Sequence, residues 1–414
     1  MHILFLTNYW PPEIGASSHL TFEMGESLVQ FGHRVTVVTG FPSYNVLALP
    51  SQYRGQWLSE EESAGMRVLR VSVPNTSRGS KLKRGVGHLT GAPFYALRAL
   101  SARDVDLVYT ISPPLPMALA AWATARRFRV PYCLGVQDLF PQSAIDLGFM
   151  SNRAVIRSFE IMERFAYRTA GAVTVHSIGN REHVISKGGN PERVHVVPNW
   201  VDTEFIQPGN PMNAFRQTAG LNGEFVVLFA GTMGWSQGLG VAVEAARRLA
   251  AEPGLAFLLV GDGADRANVE SMSSGLPNVR FLPMQPKERY PSVLAAADAC
   301  LVTLRPEVAT PVVPSKLLTI MAAGRPVLAS MPLAGDAPRL IEESGAGIAC
   351  QAGDARSLAD AVLYLKKNRD AGAAMAKNGR RFAEQHFSRE ACVRGFERVF
   401  RENAARQQRG NHDT

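Results

Sequence analysis

The stretch Phe225-Val-Val-Leu-Phe-Ala-Gly-Thr-Met-Gly-Trp-Ser-Gln-Gly238 opens on six consecutive apolar residues, then carries glycines at 231, 234 and 238 before a helical pattern starts near Leu239. An apolar run without polar alternation reads as a strand buried on both faces, which belongs in a parallel sheet covered by helices. The glycines let backbone N–H groups approach a phosphate, and the following helix start adds about half a positive charge. The spacing is not GxGxxG and no Walker lysine follows, so a plain tight turn accounts for the glycines equally well.

The same alternation continues on both sides. Downstream, strands are expected at Phe257–Val260, Val279–Phe281, Ala299–Val302, Pro326–Ala329 and Gly347–Cys350, with helices near 239–251, 287–297, 315–323 and 357–368. Upstream, strands are expected at Ile3–Leu6, Val35–Val38, Val68–Val71, Leu107–Tyr109, Tyr132–Leu134, Ala172–Val175 and Val194–Val197, with helices near 17–31, 114–128, 153–169 and 180–187. This rhythm predicts an α/β chain of two doubly wound, Rossmann-like domains. Pro198–Gly223, rich in Pro and Gly and without periodicity, reads as the linker between them. The expected domains are 1–205 and 206–388, followed by 389–414 as a helix packing back on the first domain and a polar tail. Such sheets bind ligands at their carboxyl ends, so the site is expected in a cleft faced by both domains.

Composition excludes several classes. The chain has 414 residues, 46% hydrophobic and 19% charged, which is ample for sizeable cores and unlike a disordered chain. Four cysteines lie singly, at 133, 300, 350 and 392, supporting neither a disulfide framework nor a zinc site and fitting a cytoplasmic location. Leu115–Ala125 is the longest apolar stretch, about half the ~20 residues a spanning helix needs. A net charge of +8 favours anionic partners.

Local motifs narrow the chemistry. In Pro311-Val-Val-Pro-Ser-Lys-Leu-Leu-Thr319, Ser315 and Lys316 fall in the first turn of a helix. A lysine there opposes the helix dipole unless an anion meets both; a screened surface lysine is the plain alternative. Thr7-Asn-Tyr-Trp-Pro-Pro-Glu-Ile-Gly-Ala-Ser-Ser-His19 ends the first strand, where Gly15 to Ser18 could offer amides to an anion or simply cap a helix. Gln137 and Asp138 follow a strand at its carboxyl end, where Asp138 could orient or deprotonate a hydroxyl. Asp104 and Asp106 could share a metal, but they precede a strand and read as an edge; Asp262 and Asp265 read as helix caps, and no metal site is expected. From Arg67 to Arg103 there are eight Lys/Arg and no Asp/Glu, interleaved with apolar residues. That stretch fits either an anionic membrane surface or a solvated face plus a core-facing helix; no aromatic platform suggests nucleic acid.

Together the first-strand loop, Gly32-His-Arg-Val-Thr-Val37, Val197-Pro-Asn-Trp-Val-Asp202, the glycine loop, Leu259-Val-Gly-Asp-Gly263 and Pro314-Ser-Lys…Ala-Ala-Gly-Arg-Pro-Val327 occur in an order that resembles the family-4 glycosyltransferases of GT-B fold. The likeness is strongest to their exopolysaccharide and O-antigen branch, which includes colanic-acid fucosyltransferase-like enzymes.

The resemblance implies a retaining, metal-independent transfer from a nucleoside diphosphate sugar, with no cofactor. The donor would be held by the second domain and the acceptor, a lipid-linked saccharide, by the first. The family's diphosphate-gripping Arg and Lys fall on Thr232 and Gln237, and its paired glutamates on Pro311 and Thr319. Lys316 is then the replacement cation, with Gly15, Gly231, Thr232, Gln237, Ser315 and Thr319 around the donor and the backbone of Leu282–Gln285 (Leu282 and Gln285 at its ends) against the base. Gln137, Asp138 and Ser18 would meet the acceptor, and Glu307 the sugar. A sugar-nucleotide 2-epimerase of the same fold and a non-catalytic homologue are the competing readings. The place implied is the cytoplasm or the inner face of the membrane.

Overall fold

The computed structural model describes the chain outside residues 14–15, 44–49, 74–80, 147, 222, 309–310, 312 and 413–414; at 16, 81–89 and 410–412 it describes the backbone alone. The chain divides into two compact units, one of Met1–Pro198 with Cys392–Thr414, the other of Asn199–Ala391.

The first unit is built on eight strands: β1 (His2–Leu6), β2 (Arg34–Gly40), β3 (Leu58–Ser63), β4 (Met66–Val71), β5 (Leu107–Ser112), β6 (Tyr132–Val136), β7 (Ala172–Val175) and β8 (Val194–Val196). Their order in the sheet is β3-β4-β2-β1-β5-β6-β7-β8. Leu4 of β1 pairs with Thr36 on one side and Val108 on the other. The chain therefore leaves β1 first toward β2 and later toward β5, which makes the carboxyl end of β1 the switch point where such sheets bind ligands. All strand pairs are parallel except β3 with β4, a hairpin turning at Ala64 and Gly65, both with positive φ. That hairpin is absent from the sequence-based expectation, whereas the helix Lys81–Ala99 lies in the basic stretch for which a core-facing helix was one alternative. Leu58-Ser-Glu-Glu-Glu-Ser63 lacks the apolar core of a strand because it is the charged edge of the sheet.

The second unit is a six-stranded, wholly parallel sheet of β9 (Phe225–Ala230), β10 (Leu255–Val260), β11 (Val279–Leu282), β12 (Ala299–Thr303), β13 (Val327–Met331) and β14 (Gly347–Gln351). Its order is β11-β10-β9-β12-β13-β14, with the switch point at the end of β9. Side chains of β9 alternate between two cores. Val226, Leu228 and Ala230 pack with Leu317, Ile320 and Met321 of the helix Ser315–Ala322. Phe225, Val227 and Phe229 pack with Ala242 and Val243 of the helix Gly240–Arg248 and with Leu358 and Val362 of the helix Ala355–Lys367.

The helix Arg389–His412 closes the chain, and from Cys392 onward it belongs to the first unit. Phe396 and Phe400 lie with ring centroids 6.3 and 5.2 Å from that of Tyr109. Glu397 accepts from His33 at 2.9 Å, and Asn403 donates to Cys133 Sγ at 3.1 Å. Each buried aromatic of this helix contributes about 1.5–3 kcal/mol by leaving water. All four cysteines are buried and free. Among the described residues no helix is long and apolar enough to cross a membrane.

Candidate functional site

In the second unit, the loop after β9 is fixed before any ligand is considered. Gly231 N–H donates to Val260 O at 2.9 Å and Met233 N–H to Asp262 O at 2.8 Å, so the loop runs alongside the end of β10. Only glycine fits there: at Gly261 (φ +153°) an added Cβ would overlap the carbonyl oxygen of Gly231, and at Gly263 that of Met233. Gly231 itself has φ +135°, and a Cβ on it would stand 2.6 Å from Lys316 Cε.

The Lys316 side chain therefore lies against the bare backbone of Gly231. Its Nζ donates to Gln237 Oε1 at 3.3 Å and sits 5.1 Å from the Phe229 ring centroid. Burial lowers its pKa to about 8, and no charged neighbour among the described residues offsets this. Pro314 occupies the cap position of the helix Ser315–Ala322 and offers no side chain to the first-turn N–H groups. An ammonium with no counter-ion among the described residues and uncapped amides converge beside a glycine loop, a set of donors whose charge and geometry suit a phosphate.

The sequence reading missed a second cation here. Arg305, two residues beyond β12, donates through Nε to Trp235 O at 2.7 Å, and its guanidinium stacks on the exposed Trp235 ring at 4.3 Å. Its N–H donates to Ser236 O at 3.0 Å, and a Cβ on Gly238 would meet its Cγ at 2.7 Å. Lys316 thus holds one end of the loop and Arg305 the other. Its place just past a strand's carboxyl end was the available signal.

The other expected donor contacts divide. Thr232 and Ser315 are exposed beside the loop, and Glu307 is exposed in the turn after Arg305. Thr319 is turned inward: its hydroxyl donates to Ser315 O at 3.1 Å and Lys316 O at 3.0 Å, so it reinforces the helix instead of reaching out. At the expected base slot, the backbone of Leu282–Gln285, two groups already have partners within the chain. Leu282 O already accepts from Gly261 N–H at 3.1 Å, and Gln285 folds back on Pro283 O at 2.9 Å.

In the first unit, Gln137 N–H donates to Ser112 O at 2.8 Å, extending β6 against β5. This sets Asp138 just past the sheet, open to solvent by area. The protein packed around its carboxyl nevertheless raises its pKa, opposed by hydrogen bonds from the Ser143 hydroxyl and Leu139 N–H and by the His176 ring. The open surface decides what a ligand meets, so Asp138 is an accessible acceptor for a hydroxyl proton. His176, one residue past β7, is a partner that the sequence reading passed over; Asn180 reaches its ring at 3.2 Å. The loop after β1 is held by Glu13, which accepts from Trp10 N–H at 3.3 Å and Ser43 N–H at 2.7 Å, and by Tyr95, whose hydroxyl donates to Asn8 Oδ1 at 2.8 Å. Ser18 is corrected as an acceptor contact, since its side chain is enclosed at 2% exposure. Gly15 lies outside the described residues. No group of three metal-ligating side chains occurs among the described residues.

Comparison with known proteins agrees with this layout. A glycosyl transferase 4-like domain matches residues 15–200, and a glycosyl transferases group 1 domain matches residues 224–368. The chain is 29% identical over 334 residues to the putative colanic acid biosynthesis glycosyl transferase WcaI of Escherichia coli, covering 78% of this chain and 82% of that one. It is 27% identical over 368 residues to a GDP-mannose-dependent alpha-mannosyltransferase of Mycobacterium tuberculosis, covering 88% of each. Among solved structures, Anabaena HepE in complex with UDP superposes with a TM-score of 0.74 at 20% identity, over 97% of this chain and 100% of that chain. Sucrose-phosphate synthase from Thermosynechococcus elongatus gives 0.77 at 17% identity, over 98% and 100%. With these two domains in succession on two doubly wound sheets, the chain belongs to the glycosyltransferases of GT-B fold, a family-4 enzyme with a group 1 second domain.

Proposed function

We propose that the protein transfers a sugar from a nucleoside diphosphate sugar to a lipid-linked saccharide acceptor during bacterial surface polysaccharide synthesis, with retention of anomeric configuration and without a metal ion. The observation that carries this reading is Lys316, a half-buried ammonium with no counter-ion among the described residues, seated against Gly231 where a diphosphate would meet uncapped helix amides. Names of relatives support it: one acts on GDP-mannose, another serves colanic acid synthesis, and a structural neighbour holds UDP.

In the proposed reaction the bond from the anomeric carbon to the diphosphate oxygen breaks while the acceptor oxygen bonds to the same face. The acceptor's proton passes to the departing diphosphate oxygen, so no strong protein base is needed. Lys316 and Arg305 stabilise the charge that develops on the leaving group. Asp138 orients the acceptor hydroxyl, and Glu307 reaches the sugar.

A panel of UDP-, GDP- and ADP-sugars with lipid-linked acceptors, in EDTA, tests this. Acceptor-dependent release of nucleoside diphosphate with a retained anomer supports the proposal. Epimer formation without acceptor points to the 2-epimerase, and binding without turnover to a non-catalytic homologue.

Peripheral attachment to an anionic membrane is part of the same proposal. Leu97 and Leu100 are 66% and 46% exposed at the end of the helix Lys81–Ala99, and Arg98 of that helix donates to Ser59 O beside the exposed Trp57 and Leu58. Apolar side chains interleaved with arginine suit a headgroup boundary. Flotation with anionic vesicles is the test, and no co-flotation removes the claim.

A further inference from the structure

The amino-terminal edge of the first sheet, opposite the ends that carry Gln137 and Asp138, encloses a recess of about 400 Å³ whose wall includes His2, Arg34, Thr36, Arg67, Ser101 and Arg103 and no carboxylate. His2 opens β1, Arg34 opens β2, Arg67 lies at the start of β4, and Arg103 precedes β5. The register of parallel strands thus brings together three guanidiniums that are far apart in sequence.

Each arginine is placed differently. Arg67 is held in a fork by Glu60, at 2.6 Å through Nε and 3.1 Å through Nη2, which fixes its plane. Arg34 spends Nη2 on the carbonyls of Arg103 and Asp104, at 3.3 and 3.1 Å, and keeps Nε and Nη1. Arg103 makes no side-chain hydrogen bond or ion pair among the described residues, and it is exposed. The backbone beneath it is pinned. His2 Nδ1 faces Arg103 O at 2.8 Å and its Nε2 faces Thr36 Oγ1 at 2.8 Å, while Asp106 accepts His2 N–H at 2.6 Å. The His2 ring therefore donates to the Arg103 carbonyl and accepts from the Thr36 hydroxyl. Asp104 approaches Arg34 no closer than 4.0 Å and points largely into solvent.

Three guanidiniums lining one concavity repel one another, and among the described residues Glu60 on Arg67 is the one carboxylate that approaches any of them closer than 4.0 Å. Guanidinium donors match phosphate oxygens in paired, charge-assisted hydrogen bonds, and the Ser101 hydroxyl adds a neutral donor. We propose that this recess binds a phosphate group, as a phosphomonoester or diphosphate, at a site of its own in the first unit. The phosphate comes either from a free small molecule or from a lipid headgroup, and the experiment separates these sources.

Inorganic pyrophosphate is titrated calorimetrically at low salt into K316M, which lacks the donor-site cation, and into K316M/R103Q. K316M is expected to retain a site whose Kd rises tenfold or more in K316M/R103Q, recovers in part with Arg103→Lys, and is unchanged by the remote exposed Arg153→Gln. In parallel, flotation on phosphatidic acid vesicles compares wild type with R103Q against phosphatidylcholine. R103Q-sensitive flotation without pyrophosphate binding assigns the phosphate to a headgroup; R103Q-sensitive pyrophosphate binding assigns it to a free molecule. If neither readout responds to R103Q or to R34Q, the proposal is wrong. Because Arg103 has no side-chain partner among the described residues, R103Q is expected to keep the wild-type melting temperature. Failure here leaves the donor-site reading untouched, since that reading is measured by transfer activity with Arg103 intact.

Discussion

Lys316 Nζ donates to Gln237 Oε1 at 3.3 Å, linking a helix start to a loop 79 residues earlier in the chain. Gln237 keeps the ammonium off bulk water without neutralising it.

Replacing Lys316 with Met is expected to lower turnover by something on the order of a hundredfold, as for loss of an oxyanion donor. The same change removes a desolvated charge, so the melting temperature should hold or rise. Steady-state kinetics beside calorimetric melting checks both; near-normal turnover takes Lys316 out of the mechanism.

The affinity for donor should depend on pH through the same group. In the free protein Lys316 loses its charge as pH passes about 8, so the donor Kd should climb above that pH, and the K316M profile should be flat there. Stability moves oppositely. The folded pKa lies below the ordinary lysine value of 10.5, so the unfolded chain binds the extra proton between these values and the folded state gains stability as pH rises from about 8 to 10.5. A wild-type Kd that stays constant from pH 7 to 9.5 contradicts this.

Arg305→Gln keeps a hydrogen-bonding group but loses the charge and the stack on Trp235. We expect kcat/KM to fall about tenfold, the loss of one charge-assisted contact at roughly 1.4 kcal/mol per decade. Trp235 emission should shift, reporting the uncovered ring whatever the kinetics show.

Gly231→Ala and Gly261→Ala should fail differently. The first pushes on a flexible Lys316 side chain and should weaken donor binding most. Both glycines sit at positive φ, so either alanine strains the backbone, but the second also drives a methyl into the backbone of Gly231 and should cost the larger drop in melting temperature. Equal melting temperatures for the two variants count against the strand-to-loop contact described above.

Glu397→Gln tests the attachment of the last helix. Burial alone would raise the carboxyl's pKa, but hydrogen bonds from His33, Arg401 and Arg394 overcome it and hold it at about 2. A depressed carboxyl stabilises the fold above its ordinary value of 4.5 and loses that contribution as pH falls toward 2. The variant should therefore melt several degrees below wild type at pH 7, with the gap closing across that interval.

Most of the fold was legible because both sheets are buried on two faces, which makes their strands continuous apolar runs such as Phe225–Ala230. The Leu58–Ser63 strand was not, since an exposed edge strand is chosen for its charge. Lys316 could be found from one local contradiction, a cation in a first helical turn. Arg305 and His176 could not be ranked that way, because their meaning lies in partners distant in sequence. The partners of Leu282, Gln285 and Thr319 were hidden for a related reason: whether a carbonyl or hydroxyl is free depends on neighbours that no pattern within the chain reveals.

The last helix also sets an order on biosynthesis. Tyr109 waits for Phe396 and Phe400, so the first two hundred residues emerge from the ribosome with an aromatic face uncovered. The whole second unit must be made before that face is sealed. A chain stalled or clipped ahead of Cys392 would carry a sticky, unfinished first half, a natural target for chaperones and proteases.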